Sequence, residues 1–169
     1  VLRLGAVVVN LSPASQGSEL AQILSDCRPV ALISLDLFLP GLYRVLAQPT
    51  STVRSLIITS VQGLEKQLPL PPSVPAPRAF DELLKAGVPA RAPRPPVGAD
   101  SLAVLQYTSG STGNPKGVML SHGNFYVNAL ASMAALSRPQ GGVGLVAAPL
   151  FHVAACALSI QLMRRQATQ

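Results

Sequence analysis

The stretch Tyr107-Thr108-Ser109-Gly110-Ser111-Thr112-Gly113-Asn114-Pro115-Lys116-Gly117 gathers the residue types that hold an anion. Gly110 and Gly113 allow positive φ and a close approach of backbone to a ligand. Hydroxyls on Thr108, Ser109, Ser111 and Thr112 can donate to oxyanions, and successive N–H groups in such a bend form an anion-binding concavity. Lys116 adds a mobile positive charge. Each charge-assisted hydrogen bond contributes roughly 1.5–3 kcal/mol, so several converging on a polyphosphate can compete with its hydration. A Walker loop would need Gly-Lys-Ser/Thr opening a helix; here Pro115 precedes Lys116, and Gly117-Val118 follow it. The Gly-x-Gly-x-x-Gly of dinucleotide-binding folds is also absent. The loop therefore joins two strands and need not use a helix N-terminus.

The apolar stretches on either side must hold that loop. Leu102-Ala103-Val104-Leu105-Gln106-Tyr107 predicts a strand, and Gly117-Val118-Met119-Leu120 predicts its successor. Ser121 is placed to cap a helix running to about Leu136. Leu145 to Ala148 predicts a further buried strand ended by Pro149. Tyr107 is read as packing, His122 as local to the helix start.

Upstream, Ala6-Val7-Val8-Val9 predicts a strand buried on both faces. Ser18 caps a helix with Leu20, Ile23 and Leu24 on its apolar side, Pro29 ends it, and Val30 to Leu35 is a second strand. Strand, helix, strand in this compass predicts a parallel βαβ unit. A short helix over Phe38 to Ala47 and a strand over Val53 to Thr59 continue the alternation. Nine of the sixteen prolines fall between Leu68 and Gly98, which predicts a stiff surface connector with one helical turn at Phe80 to Ala86. The organisation expected is an α/β segment at 1–67, a proline-rich connector at 68–99 and a phosphate-loop segment at 100–169.

Composition excludes several classes. At 169 residues with 49% hydrophobic and 12% charged residues, the chain is globular and unusually poor in charge. Ten of the thirteen cations are arginines scattered along the chain, and aromatics are 4%, so the net charge of +6 does not make a nucleic-acid surface. Cys27 and Cys156 are too few for a disulfide scaffold and read as buried thiols of a reducing, cytoplasmic compartment. Val143 to Met163 has the length of a membrane span, but Pro149 and His152 argue for a turn and a core helix instead. No signal peptide is expected ahead of the apolar run that begins near Val1.

Tyr107 to Gly117, with Ser121-His122-Gly123-Asn124 behind it, closely resembles the phosphate-loop signature of the adenylate-forming, AMP-binding superfamily, which includes acyl-CoA synthetases, luciferases and peptide-synthetase adenylation domains. Ala148-Pro149-Leu150-Phe151-His152 is similar to the family's next motif. Gly5-Ala6-Val7-Val8-Val9-Asn10, Glu19-Leu20 and Asp26 resemble the segment that precedes it in fatty acyl-CoA ligases. The resemblance runs from about Gly5 to Leu162 and implies part of the family's large N-terminal α/β domain, with parallel or mixed sheets and flanking helices, incomplete in this chain.

The resemblance implies a two-step ligation. A fatty acid or other small carboxylate attacks the α-phosphorus of ATP to give acyl-adenylate and pyrophosphate, and coenzyme A then takes the acyl group. It assigns Thr108, Ser109, Gly110, Ser111, Thr112, Gly113 and Lys116 to the phosphates. Thr108 falls beside Mg²⁺, and His152 beside the reacting carboxylate. The family's later adenine, ribose and lid segments are not found in these 169 residues, so the isolated chain is expected not to turn over. Open alternatives are a non-catalytic truncated remnant, and a fragment of an aryl-CoA ligase, an acyl-AMP ligase or an amino-acid adenylation domain. Oligomeric state and peripheral membrane contact are left open.

Overall fold

The computed structural model describes residues 1–61, 68–87, 95–108, 114–135 and 143–164. It forms two compact units, one of Val1–Ser12 with Pro93–Gln169, the other of Pro13–Ala92. The division falls elsewhere than at the boundaries read from the sequence.

The unit of Pro13–Ala92 is a small α/β layer. Helix α1 (Gly17–Cys27) buries Leu20, Ile23 and Leu24, and Arg28 ends it in the left-handed region at φ 47°. It begins one residue before Ser18, with Gln16 at the cap position making no side-chain cap bond. Strands β1 (Ala31–Leu35), β2 (Ser55–Thr59) and β3 (Pro77–Ala79) form a parallel sheet in that order. Leu56 and Ile58 of β2 are buried on one face, while Ile33 of β1 is 56% exposed on the other. Helix α2 (Leu39–Leu46) connects β1 and β2 and buries Leu39, Leu42, Tyr43, Val45 and Leu46. The proline-rich traverse is more than a connector. Pro77 opens edge strand β3, where a missing N–H is tolerated, and α3 (Phe80–Ala86) follows as expected.

The second unit carries the phosphate-loop stretch. Strands β4 (Leu102–Thr108) and β5 (Lys116–Ser121) pair antiparallel. Helix α4 (His122–Ala135) and helix α5 (Val153–Arg164) pack together; Ala103, Val104 and Phe125 form a buried cluster against which Val8, Leu120, Cys156 and Ile160 lie. Gln161 Nε2 donates to Asn128 Oδ1 at 3.2 Å and to Ser132 Oγ at 3.1 Å, tying the two helices.

Two expected strands are corrected. Ala6–Val9 makes a single parallel bridge, in which Val8 N donates to Ala103 O and Leu105 N to Val8 O, each at 2.9 Å. The pairing does not extend beyond this bridge. The expected βαβ unit over Ala6–Leu35 is therefore replaced by β1–α2–β2. Leu145–Ala148 is not a strand: Leu145 is 85% exposed, and no described strand pairs with it. Gly144 fits there because a Cβ would stand 2.6 Å from the methyl groups of Leu162. Among the described residues no helix is long and apolar enough to cross a membrane.

Candidate functional site

The β4–β5 pair brings the two described ends of the phosphate-loop stretch together. Thr108 and Lys116 are directly opposite each other as its last register pair, and both are exposed. Ser109, Gly110, Ser111, Thr112 and Gly113 lie outside the described residues. The expected geometry, a loop between two strands, is thus met by its stems.

Side chains of opposed residues project to one face of an antiparallel pair, and residues two apart on a strand share that face. The register then sorts the site. Val104, Gln106 and Thr108 of β4 share a face with Leu120, Val118 and Lys116 of β5. Leu105, Tyr107, Gly117 and Met119 share the other. Gly117 is needed on that second face, since a Cβ there would come within 3.0 Å of Leu105 Cδ1 and 3.2 Å of Tyr107 Cζ. Tyr107 packs over the glycine beside Lys116, which matches its reading as a packing residue.

Gln106 is 8% exposed, and its Nε2 donates to Phe151 O at 2.6 Å. This bond attaches the Phe151–His152 turn to the face of β4 from which Thr108 projects, about 7 Å away along the strand at the rise of an extended chain. The turn is closed by His152 N donating to Pro149 O at 2.9 Å. The His152 carbonyl accepts from Ala155 N and Cys156 N at 3.1 and 3.2 Å, so His152 starts α5. Its ring lies 4.7 Å from that of Phe151 at 45° and is exposed, unlike a core histidine.

At the far end of β5, α4 begins with all four of its otherwise unpaired amides bonded. Ser121 N donates to Asn124 Oδ1 at 2.8 Å, and Asn124 N to Ser121 Oγ at 3.2 Å, a reciprocal capping box. His122 N donates to Ser101 O at 3.0 Å and Gly123 N to Ala99 O at 2.7 Å. His122 Nε2 is buried with no partner among the described residues. It borders an open cleft of about 550 Å³ with Arg3 and Tyr126, which is remote in the strand from Lys116.

Among the described residues no group of three His, Cys, Asp or Glu side chains could hold a metal ion. Sequence reading missed Gln106 as a site element. Its signal was a lone amide inside an apolar strand.

The family described as AMP-binding enzyme matches residues 1–168. A long-chain-fatty-acid–CoA ligase of Salmonella typhimurium (strain LT2) is 31% identical over 96% of this chain and 32% of its own length. A feruloyl-CoA synthase of Amycolatopsis sp. is 52% identical over 60 residues, 36% of this chain and 12% of its own. Among solved structures, ATP-bound MatB from Rhodopseudomonas palustris superposes with a TM-score of 0.75 at 25% identity, over 99% of this chain and 30% of that one. The chain spans about a third of the length of the long-chain ligases it matches. With residues 1–168 matched by that family and the β4–β5 stems in place, the chain belongs to the AMP-binding enzymes, the adenylate-forming family.

Proposed function

We propose that the protein carrying this chain is an ATP-dependent fatty acid–CoA ligase, and that this span supplies its grip on the polyphosphate. The observation that carries the proposal is the exposed Thr108–Lys116 pair closing a hydroxyl- and glycine-rich stretch. The similarity to long-chain-fatty-acid–CoA ligases and to a structure described as ATP-bound supports it.

In the first step a carboxylate oxygen bonds to the α-phosphorus of ATP and the bond to the β-phosphate oxygen breaks, releasing pyrophosphate. In the second the thiolate sulfur of coenzyme A bonds to the acyl carbon and AMP leaves. Lys116 and Thr108, with Ser109, Gly110, Ser111, Thr112 and Gly113, would hold the β- and γ-phosphates and stabilise charge on the departing pyrophosphate. Mg²⁺, when bound with the nucleotide, neutralises phosphate charge; Thr108 would stand beside it. His152 would orient the carboxylate. No protein nucleophile is required. No described residue is assigned to coenzyme A. The thiols of Cys27 and Cys156 are consistent with a reducing, cytoplasmic compartment.

The test is exchange of labelled pyrophosphate into ATP by the protein carrying this span, with and without a panel of fatty acids. Acid-dependent exchange supports the proposal; exchange indifferent to the acid would overturn it. The isolated chain should bind magnesium pyrophosphate without catalysing exchange. A second reading, an aryl-CoA ligase, is favoured by the 52% identity to feruloyl-CoA synthases; hydroxycinnamates outperforming fatty acids in the same assay would establish it.

A further inference from the structure

We infer that Gln106 is a positioning residue that fixes the Phe151–His152 turn against the stem of the phosphate loop. An amide in a strand whose neighbours Val104 and Leu120 are packed into the core carries a desolvation penalty that an apolar side chain would avoid. Of its two polar ends, Nε2 donates to Phe151 O at 2.6 Å, while Oε1 is buried with no partner among the described residues. The bond to the turn is thus the one that orients the amide. The acceptor is the carbonyl immediately before His152. The donor sits two residues before Thr108 on the same face of β4, the face that Lys116 shares. One side chain therefore joins the two parts of the candidate site, which are 45 residues apart in sequence.

The consequence is specific. With the bond made, the backbone that carries His152 is held beside the face of β4 that ends in Thr108. Without it the turn is anchored, among the described residues, through α5 and the Pro149–His152 bond, and the backbone that carries His152 can move away from the end of β4. What His152 does once placed rests on the proposed ligase function; that Gln106 places it does not.

The test uses the chain isotopically labelled for NMR. In the unsubstituted chain, the Gln106 side-chain amide protons should show cross-relaxation with Phe151 and His152, and one should exchange slowly with solvent. Absence of both signals overturns the inference without any variant. Gln106→Met keeps length and packing but removes the donor; it should shift and broaden the His152 ring resonances while those of His122, at the far end of β5, stay put. A purely structural glutamine predicts a loss of stability with no selective change at His152, and that result overturns the inference. Titration with magnesium pyrophosphate, followed at Lys116, separates the two proposals. No binding by the unsubstituted chain counts against the phosphate grip and leaves Gln106 to be judged on the His152 signals. Where binding occurs, Gln106→Met should weaken the response of His152 to it by roughly three- to tenfold, the worth of one neutral hydrogen bond.

Discussion

Thr108 and Lys116 face each other as the last pair of the β4–β5 ladder, so a hydroxyl and an ammonium group stand side by side where the strands part. Strand pairing, not side-chain contact, sets this spacing, and the backbone ladder resists its loss. Lys116→Ala should therefore leave the fold intact while removing one donor to developing phosphate charge. In the protein carrying this span the expected cost is about 2–4 kcal/mol of transition-state stabilisation, or roughly 30- to 900-fold in the rate of pyrophosphate exchange, by analogy with loss of one preorganised oxyanion donor. Unchanged exchange removes Lys116 from the site.

Asp36 is fully buried where β1 ends, and it accepts from Ser60 Oγ at 3.2 Å and Val61 N at 3.0 Å. Those donors follow the end of β2, so one carboxylate clamps the adjacent ends of two parallel strands. Asp36→Ala leaves both donors without it and should cost about 2–3 kcal/mol in urea unfolding. Asp36→Asn, which keeps an acceptor, should cost less.

Gly123 sits where a Cβ would meet the carbonyl oxygen of Ala99 at 3.0 Å, and its own N–H donates to that oxygen. The neighbour is backbone and cannot swing away. Gly123→Ala should destabilise the unit by about 1–3 kcal/mol, as overpacking does. Ser121→Ala, which removes only the cap acceptor, should cost about 1 kcal/mol. Thermal unfolding of both variants ranks them.

Burial raises the pKa of the Cys156 thiol. A group whose folded pKa is raised stabilises the fold fully below its unfolded pKa and loses that contribution as pH rises through the folded value. Cys156 should therefore alkylate more slowly than a free thiol near pH ~8.5, and stability should fall through its titration in the alkaline range. Replacement by alanine should flatten that alkaline decline, followed by urea midpoints across the range.

Local pattern made much of this legible, and distant pairing hid the rest. The i, i+3, i+4 spacing of Leu20, Ile23 and Leu24 located the buried side of α1, and Ser121 located the start of α4. Thr108 and Lys116 were readable because their strands are neighbours in sequence. Ala6–Val9 and Leu145–Ala148 have the composition of buried strands, yet a strand needs a partner along its length. The first finds one at Val8 alone, and Leu145 lies exposed. Pro77 could be placed as a strand opener only once β2 was known to run beside it. Gln106 was missed because its meaning lies in a carbonyl far along the chain, which no window of neighbouring residues contains.

The bonded start of α4 has a last consequence. With Ser101, Ala99, Ser121 and Asn124 occupying its leading amides, the helix has no open dipole end to lend to a ligand. The proposed grip on phosphate then rests on an exposed ammonium at a strand end, and mobile ions damp such a field within about 8 Å at physiological ionic strength. Potassium chloride should act as a competitor of the nucleotide, and the grip should loosen steadily as the buffer is made more saline.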